Sequence, residues 1–205
     1  MSVQKGAVAF GLLLVSAFAC FGCAGQPTAS PLHGVRFEPP KLAPDFTLTD
    51  QNGNPFTLGS TRGQVVMLYF GYTSCPDVCP LTLVDMATAR KELGKDAELV
   101  RVVFVTVDPE RDAQAVLSRY VPAFDESFIG VRGTPEEIKT VADAYGVQYK
   151  KTPLPNSALG YAVDHTAFIY VIDRSGRLRQ VLPFGTKRQD ITSDLRILVV
   201  EGAES

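Results

Sequence analysis

Two cysteines and one histidine are the residues of this 205-residue chain best placed to do chemistry. Cys75 and Cys79 stand in the stretch Phe70-Gly71-Tyr72-Thr73-Ser74-Cys75-Pro76-Asp77-Val78-Cys79-Pro80, each followed by a proline. An apolar run precedes them and a helical stretch follows. Pro80 suits the first position of that helix, where its missing N–H would have been unpaired anyway. The segment from Cys75 to Cys79 is therefore expected on a loop capping the helix, its sulfurs drawn together by Pro76 and Pro80. The helix start favours thiolate over thiol. A thiolate can attack a disulfide or bind a soft metal. The first chemistry makes Cys75 and Cys79 a redox-active pair that closes reversibly into an intramolecular disulfide. The second selects Cu(I), zinc or an iron–sulfur centre. Structural zinc and clusters usually take four ligands, whereas Cu(I) is satisfied by two or three. Spacing alone leaves the redox and metal readings both open.

The chain has two histidines, and only His165 falls within the folded part. It follows Tyr161-Ala162-Val163-Asp164 and leads into the apolar run from Thr166 to Ile172, at the entrance of a strand, where α/β folds present residues to a ligand. Asp164 is a candidate partner for its second ring nitrogen. Two thiolates and one imidazole make a three-coordinate soft site. Asp77, between the cysteines, is read either as an acceptor that tunes the loop or meets a partner, or as a solvated turn residue.

These residues must be positioned by the elements around them. Val65 to Phe70 is a continuous apolar run, as in a strand covered on both faces. A helix is expected from about Pro80 to Leu93, closed by Gly94. Glu98 to Val107 reads as the next strand. Asp108-Pro109-Glu110-Arg111-Asp112 reads as a turn into a helix with Asp112 as N-cap, and residues 128–131 as a short strand. Thr134-Pro135-Glu136-Glu137 opens a further helix with a capping box. Residues 147–161 look irregular, and a last helix is expected over about 188–200. Upstream, Asp45 to Asp50 and Pro55 to Leu58 flank Asn52-Gly53, a strong hairpin signal. Strands alternating with helices after an opening hairpin indicate a three-layer α/β domain.

Lys5 is the only charge before Arg36. An apolar stretch from Ala7 to Phe21, ending at Cys20 and Cys23, reads as a lipoprotein-type secretory signal over residues 1–22. Cys23 is the preferred site of lipid attachment, with Cys20 as alternative. Residues 23–41 are small, polar and rich in proline, and are expected to be a flexible tether holding His33 in solvent. The domain is then 42–205. A formal net charge of -2 argues against a nucleic-acid binder, and no apolar run reaches the roughly 18–20 residues of a membrane-spanning helix.

Three segments together resemble one family. Gly71-Tyr72-Thr73-Ser74-Cys75-Pro76-Asp77-Val78-Cys79-Pro80, Val107-Asp108-Pro109-Glu110-Arg111-Asp112 and Tyr161-Ala162-Val163-Asp164-His165-Thr166 come in the order and spacing of the Sco/SenC proteins. Thr166 stands where Ser often follows the histidine. The resemblance covers residues 42 to about 199. It implies a thioredoxin-like three-layer α/β/α domain with an N-terminal β-hairpin, and copper held by Cys75, Cys79 and His165. It also implies a chaperone that delivers copper to the binuclear copper site of cytochrome c oxidase or prepares the thiols of that site. Expected partners are the copper-bearing oxidase subunit, an upstream copper donor or a thioredoxin-like reductant, and a membrane reached through the lipid anchor outside the cytoplasm. The competing function is an extracytoplasmic thiol–disulfide oxidoreductase or redox sensor. Thioredoxin-like reductants commonly carry a proline where this chain has Asp164-His165-Thr166, which suits a metal better than a mixed disulfide. A peroxide-reducing enzyme of the same fold is the weaker third reading.

Overall fold

Val65–Gly71 (β4) is buried at every position, its first six side chains with no exposed surface at all. Such a strand needs cover on both faces and partners on both edges. The computed structural model, which describes residues 1–2 and 32–201, supplies them. β4 runs parallel to Val100–Thr106 (β5) and antiparallel to Phe168–Ile172 (β9). β5 continues in parallel to Ile129–Arg132 (β6). One end of the sheet is completed by the hairpin Thr47–Asp50 (β2) and Pro55–Thr57 (β3), the other by Arg177–Pro183 (β10) and Val35–Leu42 (β1). The eight-stranded order is β1-β10-β9-β4-β5-β6-β2-β3. The hairpin forms where Asn-Gly predicts it: Asp50 Oδ1 accepts the N–H groups of Asn52 and Asn54, both at 2.8 Å, and closes the turn.

Helices Val78–Lys91 (α1) and Arg188–Glu201 (α4) pack on each other, with Glu92, just beyond α1, accepting from Arg188 and Thr192. Pro135–Tyr145 (α3) covers the opposite face, where Tyr145 meets the rings of Phe70 and Tyr170. The result is the three-layer α/β/α architecture expected. α3 has the predicted capping box: Thr134 accepts from the Glu137 N–H, and Glu137 reaches back to the Thr134 N–H at 2.8 Å.

Four expectations change. The tether does not extend to residue 41, because Val35–Leu42 pairs with β10. Its register shifts between Arg36 and Lys41, and Pro39 and Pro40 lie within that irregularity, as prolines in an edge strand do. His33 is not a solvated linker residue: its backbone N–H donates to Asp194 Oδ2 at 3.0 Å, and its Nδ1 lies 2.7 Å from Asp194 Oδ1, a buried carboxylate of α4. Residues 147–161 are not simply irregular. Tyr149–Pro153 (β7) pairs antiparallel with Tyr161–His165 (β8) as a separate two-stranded sheet. Finally, Asp112 does not cap the next helix, Gln114–Tyr120 (α2), whose N-cap is Ala113. The signal and the lipid-site cysteines Cys20 and Cys23 lie outside the described residues.

Candidate metal centre

The fold brings Cys79 and His165 together and places Cys75 beside them. β4 ends at Gly71, and the chain crosses Tyr72 to Asp77 before α1 begins at Val78. Cys79 therefore sits in the first turn of α1, not on the preceding loop, and Pro80 is its third residue. That position is allowed because the first four N–H groups of a helix have no helical partner. Asp77, the N-cap, makes no side-chain cap and is exposed. The Cys75 sulfur takes that role: it accepts the Cys79 N–H at 3.4 Å. Gly71 makes room for the second sulfur, since a Cβ there would stand 3.0 Å from Cys79 Sγ and 2.9 Å from Phe104.

Cys79 is fully buried and Cys75 half-buried, and both are free. The pair shares one negative charge. The Cys79 thiol hydrogen-bonds to Cys75 and, against the cost of burial, holds the Cys75 thiol down at about 3; His165 and the backbone N–H groups of Asp77 and Cys79 act in the same sense. Cys79 is pushed up by that same bond and by its burial. Helix-start cysteines behave this way because the free N–H groups stabilise a thiolate.

His165 ends β8 with its Nε2 3.4 Å from Cys79 Sγ. Its Nδ1 donates to the Thr166 carbonyl at 3.1 Å. A carbonyl only accepts, so Nδ1 carries a proton and Nε2 is the ring nitrogen turned toward the sulfurs. Edge-on packing against Tyr72 (5.9 Å between centroids, 84°) and Tyr69 (6.3 Å, 71°) fixes the ring plane. Asp164 is not the partner of His165. Alternation along β8 sends it the other way, where it accepts from Thr152 Oγ1 at 2.5 Å.

The cysteine loop is held from behind. Asp112, with no exposed surface, accepts from Thr73 N–H (3.0 Å), Thr73 Oγ1 (2.6 Å) and Thr106 Oγ1 (2.6 Å). Burial raises its carboxyl above the usual range, while these three bonds oppose the shift. The sequence motif contains Asp112 and Thr73, but nothing in their spacing reveals that they face each other. Two cysteine sulfurs and one imidazole nitrogen, with no carboxylate among them, are the donor types that suit a soft, thiophilic ion; among the described residues no three such side chains already stand in metal-holding geometry.

The SCO1/SenC family model matches residues 36–200. An SCO2-like protein of Rickettsia felis is 39% identical over 137 residues, which cover 67% of this chain and 67% of that protein. Among solved structures, Bradyrhizobium japonicum ScoI with copper bound superposes with a TM-score of 0.69 at 39% identity, covering 77% of this chain and 99% of that one. Yeast Sco1 with copper bound gives 0.68 at 32% identity, covering 81% and 90%.

Proposed function

The chain belongs to the SCO1/SenC family, and from that premise we propose that it is a copper-binding chaperone whose cargo is held by Cys75, Cys79 and His165. The observation that carries this reading is the approach of His165 Nε2 to Cys79 Sγ at 3.4 Å, with the ring turned by the Thr166 carbonyl. Two relatives with comparable folds bind copper in their structures. The expected acceptor is the binuclear copper site of cytochrome c oxidase, to which the protein delivers copper or whose thiols it prepares. An upstream copper donor or a thioredoxin-like reductant loads or reduces it.

The cysteine pair starts with one thiolate and one thiol. Copper binding by both sulfurs therefore releases the Cys79 proton, and affinity rises with pH. Cu(I) accepts two sulfurs, whereas Cu(II) prefers more ligands including imidazole. His165→Ala should weaken Cu(II) by about 10–100-fold and spare Cu(I). Cys75→Ala or Cys79→Ala should damage both. The measurement is competition titration of both oxidation states against chelators. If His165→Ala binds Cu(II) with wild-type affinity and spectrum, the site is wrong and the thiol–disulfide oxidoreductase reading leads. That alternative is favoured by one feature, the depressed Cys75 thiol.

We place the protein outside the cytoplasm, anchored by lipid on Cys23, or on Cys20 as alternative, after removal of the signal. Among the described residues no helix is long and apolar enough to cross a membrane. Replacing the lipidated cysteine with cleavage preserved should release the protein from membranes; an unprocessed chain in the cytosol would refute the anchor.

A further inference from the structure

The histidine of the site ends a two-stranded arm that lies outside the main sheet and runs on through Thr166 and Ala167 into β9. Among the described residues β7 and β8 pair only with each other, from Tyr149↔His165 to Pro153↔Tyr161, and no ladder joins them to the eight strands. Most of their side chains are exposed or half-buried, with Val163 buried. At the far end of this arm from His165, one side chain of the body takes hold of it. Arg111 Nη1 donates to the carbonyls of Leu159 (3.0 Å) and Tyr161 (2.9 Å). Its guanidinium carbon lies 3.7 Å over the Tyr161 ring and 5.7 Å from that of Tyr72, the ring that packs on His165. Arg111 Nε donates to Asp108, which is fully buried and also accepts from Tyr161 Oη at 2.8 Å. Lys151 of β7 adds an ion pair with Glu110 at 2.6 Å. The same loop continues to Asp112, which grips Thr73 of the cysteine loop.

We propose that Arg111 is a positioning residue: it fixes the β7–β8 arm to the loop that also braces the cysteine loop, and so sets His165 at its distance from Cys79. This rests on the reading of His165 as a ligand. Its physical content is population. If the arm leaves its seat for part of the time, the apparent affinity of the three-ligand site falls by the fraction of molecules still seated. A two-sulfur site is blind to the arm. Lysine cannot do the work of Arg111, because it lacks the planar fork that serves two carbonyls and stacks on a ring while pairing with Asp108.

The test uses the full domain as wild type, Arg111→Lys, Arg111→Ala, His165→Ala and the double variant Arg111→Lys with His165→Ala. Arg111→Lys keeps a cation beside buried Asp108, so folding does not depend on the alanine variant alone. Cu(II) and Cu(I) affinities are measured by competition, Cu(II) absorption is recorded, and amide exchange at residues 161–165 is followed without metal. Expected is a Cu(II) loss of about tenfold in Arg111→Lys, unchanged Cu(I), an absorption band moved toward that of His165→Ala, and faster exchange along β8. The double variant should be no worse for Cu(II) than His165→Ala, since a residue acting through another adds nothing once that other is gone. Wild-type Cu(II) binding and wild-type exchange in Arg111→Lys would overturn the proposal, as would a loss that adds in full to that of His165→Ala. If His165→Ala leaves Cu(II) untouched, the ligand assignment falls, and exchange along β8 alone decides whether Arg111 holds the arm.

Discussion

Gly71→Ala separates the packing of the cysteine pair from its ligand chemistry. The backbone at Gly71 is ordinary strand, so alanine meets no conformational penalty there. It should even gain about 0.4–1 kcal/mol by restricting the unfolded chain. Against this, the new Cβ would stand 2.9 Å from a Phe104 ring carbon, 3.0 Å from a Tyr69 ring carbon and 3.0 Å from Cys79 Sγ. Phe104 and Tyr69 have no exposed surface and are packed against each other with centroids 6.3 Å apart. Neither ring can retreat without disturbing the sheet, so the sulfur must give way. Overpacking of this kind costs about 1–3 kcal/mol, and with the gain subtracted the net loss centres on about 1.3 kcal/mol. In a domain of this size that lowers the thermal midpoint by about 3–5 °C. Because the displaced atom is Cys79 Sγ, both Cu(I) and Cu(II) affinities should fall, unlike the split expected for His165→Ala. The assays are thermal unfolding of the metal-free protein and copper competition. Gly94→Ala is the control: the space there is open, so only its left-handed backbone (φ +62°) resists a side chain, and copper affinity should not move. A Gly71→Ala protein with wild-type melting and wild-type copper affinity would refute the close-approach reasoning.

Three further outcomes are expected. Alkylation of Cys75 in the metal-free protein should vary little with pH from about pH 5 to pH 8, because its thiol is held at about 3, while Cys79 stays unreactive until unfolding; a rate rising about tenfold per pH unit through neutrality would contradict the shared-charge pair. Asp112→Ala should cost about 3 kcal/mol in chemical denaturation, since it strips the acceptor from the part-buried N–H and hydroxyl of Thr73 and the buried hydroxyl of Thr106; a loss under about 1 kcal/mol would mean the brace is idle. The His33 ring is held above its ordinary value of 6.5, chiefly by its bond to Asp194. A raised histidine stabilises the fold fully below the unfolded value, and that contribution is lost as pH rises through the folded one. The destabilisation caused by His33→Ala should therefore be larger at about pH 5.5 than at about pH 8.5, and equal losses at both would remove the charged clasp.

The features visible in the sequence are those where local pattern and tertiary role coincide. Val65 to Phe70 reads as a doubly covered strand because every position is apolar, and it is buried throughout. The cysteine pair at its end, the Asn-Gly hairpin and the capping box of α3 are legible because each is specified by a few neighbouring residues. β1 is hidden because its side chains are mostly exposed and two of them are prolines; backbone pairing with β10 makes it a strand, and pairing partners leave no periodicity. The β7–β8 arm is hidden for the same reason. Within the site, the three residue types were legible and their setting was not. The turn of the His165 ring depends on the next residue's carbonyl, and Asp112 faces Thr73 from 39 positions away. Cys79 falls inside α1, where its N–H is taken by the Cys75 sulfur and not by the side chain of the N-cap residue Asp77.

With the anchor proposed above on Cys23, the first strand would also set how far the protein can work from the membrane. β1 starts with Val35 opposite Val181, two residues short of the end of β10. β10 ends beside Phe168, and β9 begins there, at the end of the sheet where β4 delivers the cysteine loop. The chain thus enters the fold on the same rim as Cys75, Cys79 and His165. Cys23 and Val35 are twelve positions apart, and a fully extended chain of that length reaches about 40 Å. With lipid on Cys23, the cargo is confined to a shell about one small domain deep above the bilayer. On that proposal an acceptor would have to present its thiols at that height, and the tether would act as a ruler: lengthening it would carry the rim outward, and shortening it would press the rim toward the lipid surface.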